Sequence, residues 1–161
     1  MGAGQWGRRL VRAVVQRVGR ARVLVDGAVV GKIGRGLCVL VCAMKGDGEE
    51  DAQFLARKLA SLRIFPCERG KMNLDVRDVS GGVLLVSQFT LAADTTSGSR
   101  PSFSAAMEAS GAQALLSALA SRLKDAGLPV ESGRFGTKMD LELVNDGPVT
   151  IYLDSRAKTR N

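Results

Sequence analysis

Ala21-Arg22-Val23-Leu24-Val25-Asp26-Gly27-Ala28-Val29-Val30-Gly31-Lys32-Ile33 places two runs rich in β-branched residues around an Asp-Gly pair. That dipeptide tolerates the positive φ angles of a two-residue hairpin, so the stretch predicts strands Ala21–Val25 and Ala28–Ile33 joined by a tight turn. Upstream, Arg12-Ala13-Val14-Val15-Gln16-Arg17-Val18 has the same character and predicts another strand. Downstream of Gly34 and Gly36, the apolar run from Leu37 to Ala43 predicts a strand buried on both faces. The front third is therefore all β.

The period then changes. After the turn-like Lys45-Gly46-Asp47-Gly48, residues Ala52, Leu55, Ala56, Leu59 and Leu62 keep helical spacing, and Glu49, Glu50 and Asp51 suit the positive end of a helix dipole. This helix is expected to end near Arg63. Gly82 to Gln88 predicts a further strand, and Leu91 to Pro101, with Asp94, Ser97, Gly98 and Ser99, a loop. Ala112, Leu115, Leu116, Leu119 and Leu123 define a second helix stopped by Gly127, and strand-like segments follow near Val130, at Leu141–Val144 and at Val149–Leu153. The order predicts one α/β domain with two helices packed on sheet, without internal repeats.

Composition narrows the function. The chain has 161 residues, 45% of them hydrophobic, which suits one domain with its own core. Its 23 Lys and Arg against 16 Asp and Glu give a formal charge of +7, a field that attracts polyanions. The longest apolar run, Leu37 to Met44, falls far short of the roughly 20 residues that span a bilayer, so no membrane association is expected. Cys38 and Cys42 would lie about 13 Å apart along one strand, too far for a disulfide or a shared metal. With Cys67 the count is odd, which suits a reduced, cytoplasmic protein. Residues 1–11 read as an arginine-bearing extension without the serines of a transit peptide, and Trp6 stands where N-myristoylation needs Ser or Thr. Residues 12–154 form the domain, and the basic tail 155–161 is expected to fray.

The chain contains no histidine. A Ser-His-Asp triad, a Cys-His pair and HExxH zinc chemistry are thereby excluded for this chain alone.

Three segments carry functional groups. In Val83-Leu84-Leu85-Val86-Ser87-Gln88-Phe89-Thr90-Leu91 a buried strand runs into hydroxyl and amide side chains, where backbone N–H groups leaving the ladder can form an oxyanion hole. Spacing alone does not separate such a platform from an ordinary strand end. Leu143-Val144-Asn145-Asp146-Gly147-Pro148-Val149-Thr150 reads as a turn between two strands, which can display two carbonyls to an ammonium group or be a plain hairpin turn. Ser132-Gly133-Arg134-Phe135-Gly136-Thr137-Lys138-Met139 sets glycines around an aromatic and two cations, a pattern that suits phosphate, a nucleobase or a simple connection.

Together these stretches resemble the D-aminoacyl-tRNA deacylase family from Arg12 to Asp154. The family motifs SQFTL and NxGPxT stand at Ser87–Leu91 and Asn145–Thr150, with RAVVQRV at Arg12–Val18, ARKLASLRIF at Ala56–Phe65, GKMNL at Gly70–Leu74, RPSF at Arg100–Phe103 and GRFG at Gly133–Gly136. The resemblance implies a three-layer β/β/α fold with mixed, barrel-like sheets and two main helices, forming a homodimer with active sites at the interface. It implies hydrolysis of the ester between a D-amino acid and the terminal ribose of tRNA, with glycine mischarged on tRNA(Ala) as a further substrate. The partners are then the acceptor end of aminoacylated tRNA and a second copy of the chain. Neither cofactor nor metal is expected.

By the same resemblance, a cis Gly147-Pro148 reaches into the partner's pocket, holds the substrate's ammonium through backbone carbonyls and leaves no room for an L side chain. Arg17 fixes that turn, Asn145 and Thr150 complete the motif, and Phe135 and Met139 belong to the pocket wall. Ser87, Gln88, Phe89 and Thr90 form the catalytic group. Thr90 is the family's candidate nucleophile, but no conventional base activates it, which favours assistance by the neighbouring ribose 2′-hydroxyl with the Phe89 and Thr90 backbone as oxyanion donors. Ala92 departs from the tyrosine common in the family. Two rivals are a non-catalytic basic nucleic-acid-binding protein on the same fold and a related deacylase for mischarged L-alanyl-tRNA, whose motifs differ from the SQFT and NDGPVT present here.

Overall fold

A computed structural model of the chain describes residues 11–155, so the expected extension and basic tail fall almost wholly outside the described residues. One strand organises the rest. β1 (Arg12–Val25) runs unbroken for 14 residues, so the two strands expected at Arg12–Val18 and Ala21–Val25 are a single one. Gly19 and Arg20 are exposed and leave its alternating burial intact on either side.

One edge of β1 is shared, its first half pairing antiparallel with β3 (Gly36–Cys42) and its second half with β2 (Ala28–Ile33). The Asp26-Gly27 turn has φ of 49° and 80°, the left-handed pair that a two-residue hairpin demands. The other edge of β1 pairs along nearly its whole length with β8 (Asp140–Asp154). β3 continues the sheet in parallel to β6 (Gly82–Ser87), and β6 to β7 (Val130–Ser132).

The sheet curls until β2 approaches β7. A Cβ on Gly31 would stand 2.6 Å from the Ser132 carbonyl oxygen, so only glycine permits that approach. The result is a mixed α/β fold with a nearly closed, barrel-like sheet.

Alternation along the strands fills two cores. Leu37, Val39 and Val41 of β3, with Val83 and Leu85 of β6, face the helices, whereas Cys38, Leu84 and Val86 point into the curl. Against the first face pack α1 (Glu49–Ser61), through Ala52, Leu55 and Leu59, and α2 (Ala109–Asp125), through Ala112, Leu115, Leu119 and Leu123. The Asp51 carboxylate accepts from the Gly48 N–H at 2.9 Å and caps α1. α1 stops at Ser61, two residues before the expected Arg63, because Leu62 turns to extended geometry. α2 ends just ahead of Gly127, whose φ of +88° closes the helix.

A short antiparallel ribbon, β4 (Phe65–Pro66) and β5 (Met72–Leu74), has no sequence signature, since two- and three-residue strands show no periodicity. None of the helices among the described residues is long and apolar enough to cross a membrane.

Candidate active site

The parallel pairing of β6 with β3 decides where the first functional segment goes. Gln88 N–H makes the last ladder bond, to the Val41 carbonyl at 2.8 Å, and the chain then winds into a 3-10 turn, Phe89–Ala92. The first bond inside that turn runs from Leu91 N–H to the Gln88 carbonyl, which leaves the Phe89 and Thr90 N–H groups ahead of it without an intrahelical acceptor.

The turn rests on a small apolar cluster in which Ala92 packs with Cys42, Met44 and Ala105. Arg12 Nη1 donates to the Leu91 carbonyl at 2.9 Å, tying the turn to the start of β1. Sequence reasoning gave Arg12 no role. The two residues are 79 positions apart, and only the β1–β3–β6 order brings them together.

Burial raises the Cys42 thiol above its ordinary pKa, and its Sγ lies 3.6 Å from the Phe89 carbonyl oxygen, so it serves as a weak donor beneath the turn. Nearby, burial also pushes the Asp47 carboxyl up to about 7, its Oδ2 accepting from Met44 N–H at 2.6 Å.

Above the turn opens a cleft of about 640 Å³. Ser87, Gln88 and Phe89 line one side, Phe135 and Met139 the other. Phe89 is 60% exposed and its ring meets that of Phe103 edge-on, centroids 5.2 Å apart. Gln88 Nε2 donates to the Thr90 hydroxyl, which lies on the exposed side of the turn. The opposite wall is anchored by Gly133 N–H, which donates to the Leu85 carbonyl at 2.9 Å, and by Thr137 Oγ1, which donates to the Arg134 carbonyl at 2.8 Å.

Of the two readings open for the Gly-Pro turn, the plain hairpin is not what forms. Leu141–Val144 and Val149–Leu153 both belong to β8 and pair with the same strand: Asn145 faces Val18 and Thr150 faces Gln16. Asp146 to Val149 therefore loop out opposite the single residue Arg17, a wide bulge in one continuous ladder.

Two clamps shape the bulge. Asn145 Nδ2 donates to the Val149 carbonyl at 3.1 Å and its Oδ1 accepts from Val149 N–H at 2.9 Å. Arg17, buried, donates from Nε to the Asp146 carbonyl at 2.8 Å and from Nη1 to the Ile64 carbonyl at 2.6 Å. The Thr150 hydroxyl accepts longer contacts, 3.4 Å, from the Gln16 and Asn145 amides. At the tip the Gly147-Pro148 peptide is cis and both residues are exposed. A Cβ on Gly147 would meet Val149 N at 2.5 Å, so the tip has room for glycine alone.

The structure thus forms two groups. Ser87, Gln88 and Phe89 join Phe135 and Met139 around the cleft, Thr90 stands exposed on the turn and is not among the residues that line it, and Arg17, Asn145, Gly147, Pro148 and Thr150 build the bulge. Arg17 pairs through Leu37 to Val83, so the bulge lies three strands across the sheet from β6 and four residues short of Ser87. Neither Gly147 nor Pro148 lines the cleft of the same chain.

The model of the family described as D-Tyr-tRNA(Tyr) deacylase matches residues 14–154. The chain is 57% identical to a D-aminoacyl-tRNA deacylase of Ruegeria pomeroyi, covering 89% of this chain and 99% of that one, and 58% identical to one of Anaeromyxobacter dehalogenans, covering 91% and 98%. A solved structure named c-Myc DNA Unwinding Element Binding Protein superposes with a TM-score of 0.83 at 38% identity, covering 88% of this chain and 97% of that one. Another, described as a "probable eukaryotic D-amino acid tRNA deacylase", superposes with a TM-score of 0.78 at 18% identity, covering 89% and 98%, and so shares the fold. A family match over nearly all of the described residues, with relatives above half identity, means that this chain belongs to the D-Tyr-tRNA(Tyr) deacylase family, hydrolases of the aminoacyl-tRNA ester bond.

Proposed function

We propose that this chain releases D-amino acids from tRNA as a cytoplasmic homodimer of three-layer β/β/α subunits, each subunit's Gly147-Pro148 completing the other's cleft. The observation that carries the reading is the separation of the two groups: a rigidly clamped, exposed tip and a cleft that the same chain leaves without it. A second copy supplies the missing part. Val144 and Tyr152, exposed on β8 on either side of the tip, offer apolar surface for that contact.

The tip's backbone carbonyls accept hydrogen bonds from the substrate ammonium, and the space they occupy excludes an L side chain. Rejection by exclusion leaves the D side chain untouched, so many D-amino acids are accepted and glycine on tRNA(Ala) also enters. In the cleft, water adds to the ester carbonyl carbon and the resulting oxyanion meets the free Phe89 and Thr90 N–H groups. The bond to the ribose oxygen then breaks and that oxygen takes up the proton. With no histidine in the chain and the Thr90 hydroxyl engaged by Gln88, the neighbouring ribose 2′-hydroxyl serves as the relay for that proton. Ser87 and Gln88 position the substrate, while Phe135 and Met139 wall it in. The three cysteines are free, two of them buried, which suits a reducing compartment.

The test is release of amino acid from D-tyrosyl-, L-tyrosyl-, L-alanyl- and glycyl-tRNA. Release from the D and glycyl esters alone is expected. Release of L-alanine alone would mark the alanyl-specific relative, and binding without release a nucleic-acid-binding module. Shared sites are tested by mixing Gly147→Ala with Ser87→Ala subunits, each expected to lose at least about tenfold in activity as a homodimer. A mixed dimer holds one intact tip facing one intact cleft and recovers activity; if exchange restores nothing, the cross-subunit arrangement is wrong.

A further inference from the structure

Beside the active cleft runs a second groove, of about 490 Å³, between α2 and the segment Ser132–Phe135. It shares Ser87, Leu116 and Phe135 with the cleft, so the two adjoin. α2 contributes Ser117, Ser121 and Lys124 at intervals of four and three residues, which sets them on one face of the helix. From the facing segment come Ser132 and Arg134.

The groove's charge is uncompensated. Its lining holds two cations, several hydroxyls and no carboxylate. Among the described residues neither Lys124 nor Arg134 is in a salt bridge, whereas Arg22, Arg77 and Arg122 are matched with Glu142, Asp75 and Glu49. The backbone that carries Arg134 is also fixed, because the Thr137 bond to the Arg134 carbonyl and Gly136, at a φ of +76°, close that turn. Phe135, next in sequence, is the wall between cleft and groove.

We infer that this groove receives the sugar-phosphate backbone of the single-stranded acceptor end, the nucleotides that precede the esterified terminal adenosine. The inference rests on the proposed function, since it needs the ester to sit at Ser87–Thr90. A polymer anchored by its last nucleotide in the cleft must leave through a neighbouring opening. The opening past Phe135 offers cations for phosphate oxygens and serine hydroxyls for phosphates and ribose 2′-hydroxyls. These contacts read backbone rather than base edges, so they hold any acceptor end in register without selecting among tRNAs.

The experiment compares wild type with Lys124→Gln, Arg134→Gln and the double variant on two substrates, D-tyrosyl-tRNA and D-tyrosyl-adenosine, the latter carrying ester and ribose without phosphate. Uncharged tRNA as a competitive inhibitor reads the groove without chemistry. For the double variant we expect kcat/KM on the tRNA ester to fall roughly tenfold or more, mostly through KM, with inhibition by uncharged tRNA weakened in parallel. The log-log salt dependence should become shallower by about 0.7 for each phosphate that the groove no longer neutralises. Turnover of D-tyrosyl-adenosine, thermal midpoint and subunit number should stay as in wild type.

Equal loss on both substrates, no loss on tRNA, or a change in subunit number would overturn the inference, the last by placing a second copy of the chain in the groove. The two readings fail separately. Wild type inert toward both esters removes the proposed function and this inference with it, whereas wild type active on both, with an unimpaired double variant, removes only the groove.

Discussion

Replacing Arg17 by Met keeps the buried aliphatic volume and removes both guanidinium hydrogen bonds, to the Asp146 carbonyl at 2.8 Å and the Ile64 carbonyl at 2.6 Å. A hydrogen bond from a charged donor contributes about 1.5–3 kcal/mol, and the carbonyls left behind lose their donor, so the loss should be roughly 3–5 kcal/mol. The Asp146 carboxylate, 3.4 Å from Nε and half exposed, adds less than about 1 kcal/mol. Arg17→Met should therefore lower the midpoint of thermal unfolding by about 10 °C and shift the denaturant midpoint correspondingly.

Arg17→Lys has one ammonium in place of a planar fork and reaches one of two carbonyls that belong to different segments, so it should recover about half of the loss. Asp146→Asn should stay within about 1 kcal/mol of wild type. Measured alongside, hydrolysis of the D-tyrosyl ester should fall with the ordering of the bulge, Met below Lys below Arg. If Arg17→Met unfolds within about 1 kcal/mol of wild type, or if Asp146→Asn matches it, the bulge is not held through its backbone carbonyls and the reasoning fails.

Three further outcomes follow from the same geometry. Gly147→Ala places a Cβ 2.5 Å from Val149 N, so the tip must move; D-ester hydrolysis should fall at least tenfold with a stability loss of about 1–3 kcal/mol, and an active variant would detach the tip from the chemistry. Arg12→Met frees the Leu91 carbonyl and the turn behind Phe89 and Thr90; kcat should drop roughly tenfold with KM little changed and Arg12→Lys partly restoring it, whereas a pure KM effect would argue against a positioning role. Asp47 has its folded-state pKa raised from 3.8 to about 7, so the folded state holds the proton more tightly than the unfolded chain. Its contribution is therefore most favourable below about pH 4 and is lost as the pH rises to about 7, a slope of at most about 1.4 kcal/mol per pH unit. Asp47→Asn, neutral throughout, should flatten that part of the stability–pH curve and be the more stable protein above about pH 7; an unchanged slope in urea titrations would refute it.

Local pattern was enough to place most elements. The hairpin at Asp26-Gly27, the doubly buried β3 and β6 and the two amphipathic helices were legible because each follows from residue period and turn chemistry within a dozen positions. The family motifs were legible as strings, and they named Ser87–Thr90 and Gly147-Pro148 before any geometry existed. Tertiary structure decided what those strings become. β8 reads as two strands around a turn, and only its common pairing with β1 makes the Gly-Pro segment a bulge opposite Arg17. Arg12 reads as the start of a strand, and only the order β1–β3–β6 sets it against Leu91. Lys124 and Arg134 are ordinary surface cations until α2 and the Ser132–Phe135 segment bring them to opposite walls of one groove. Local propensity is a property of neighbouring residues, whereas ladder register and side-chain convergence are set by segments scores of positions apart, and a site assembled from such segments is fixed by the packing that joins them.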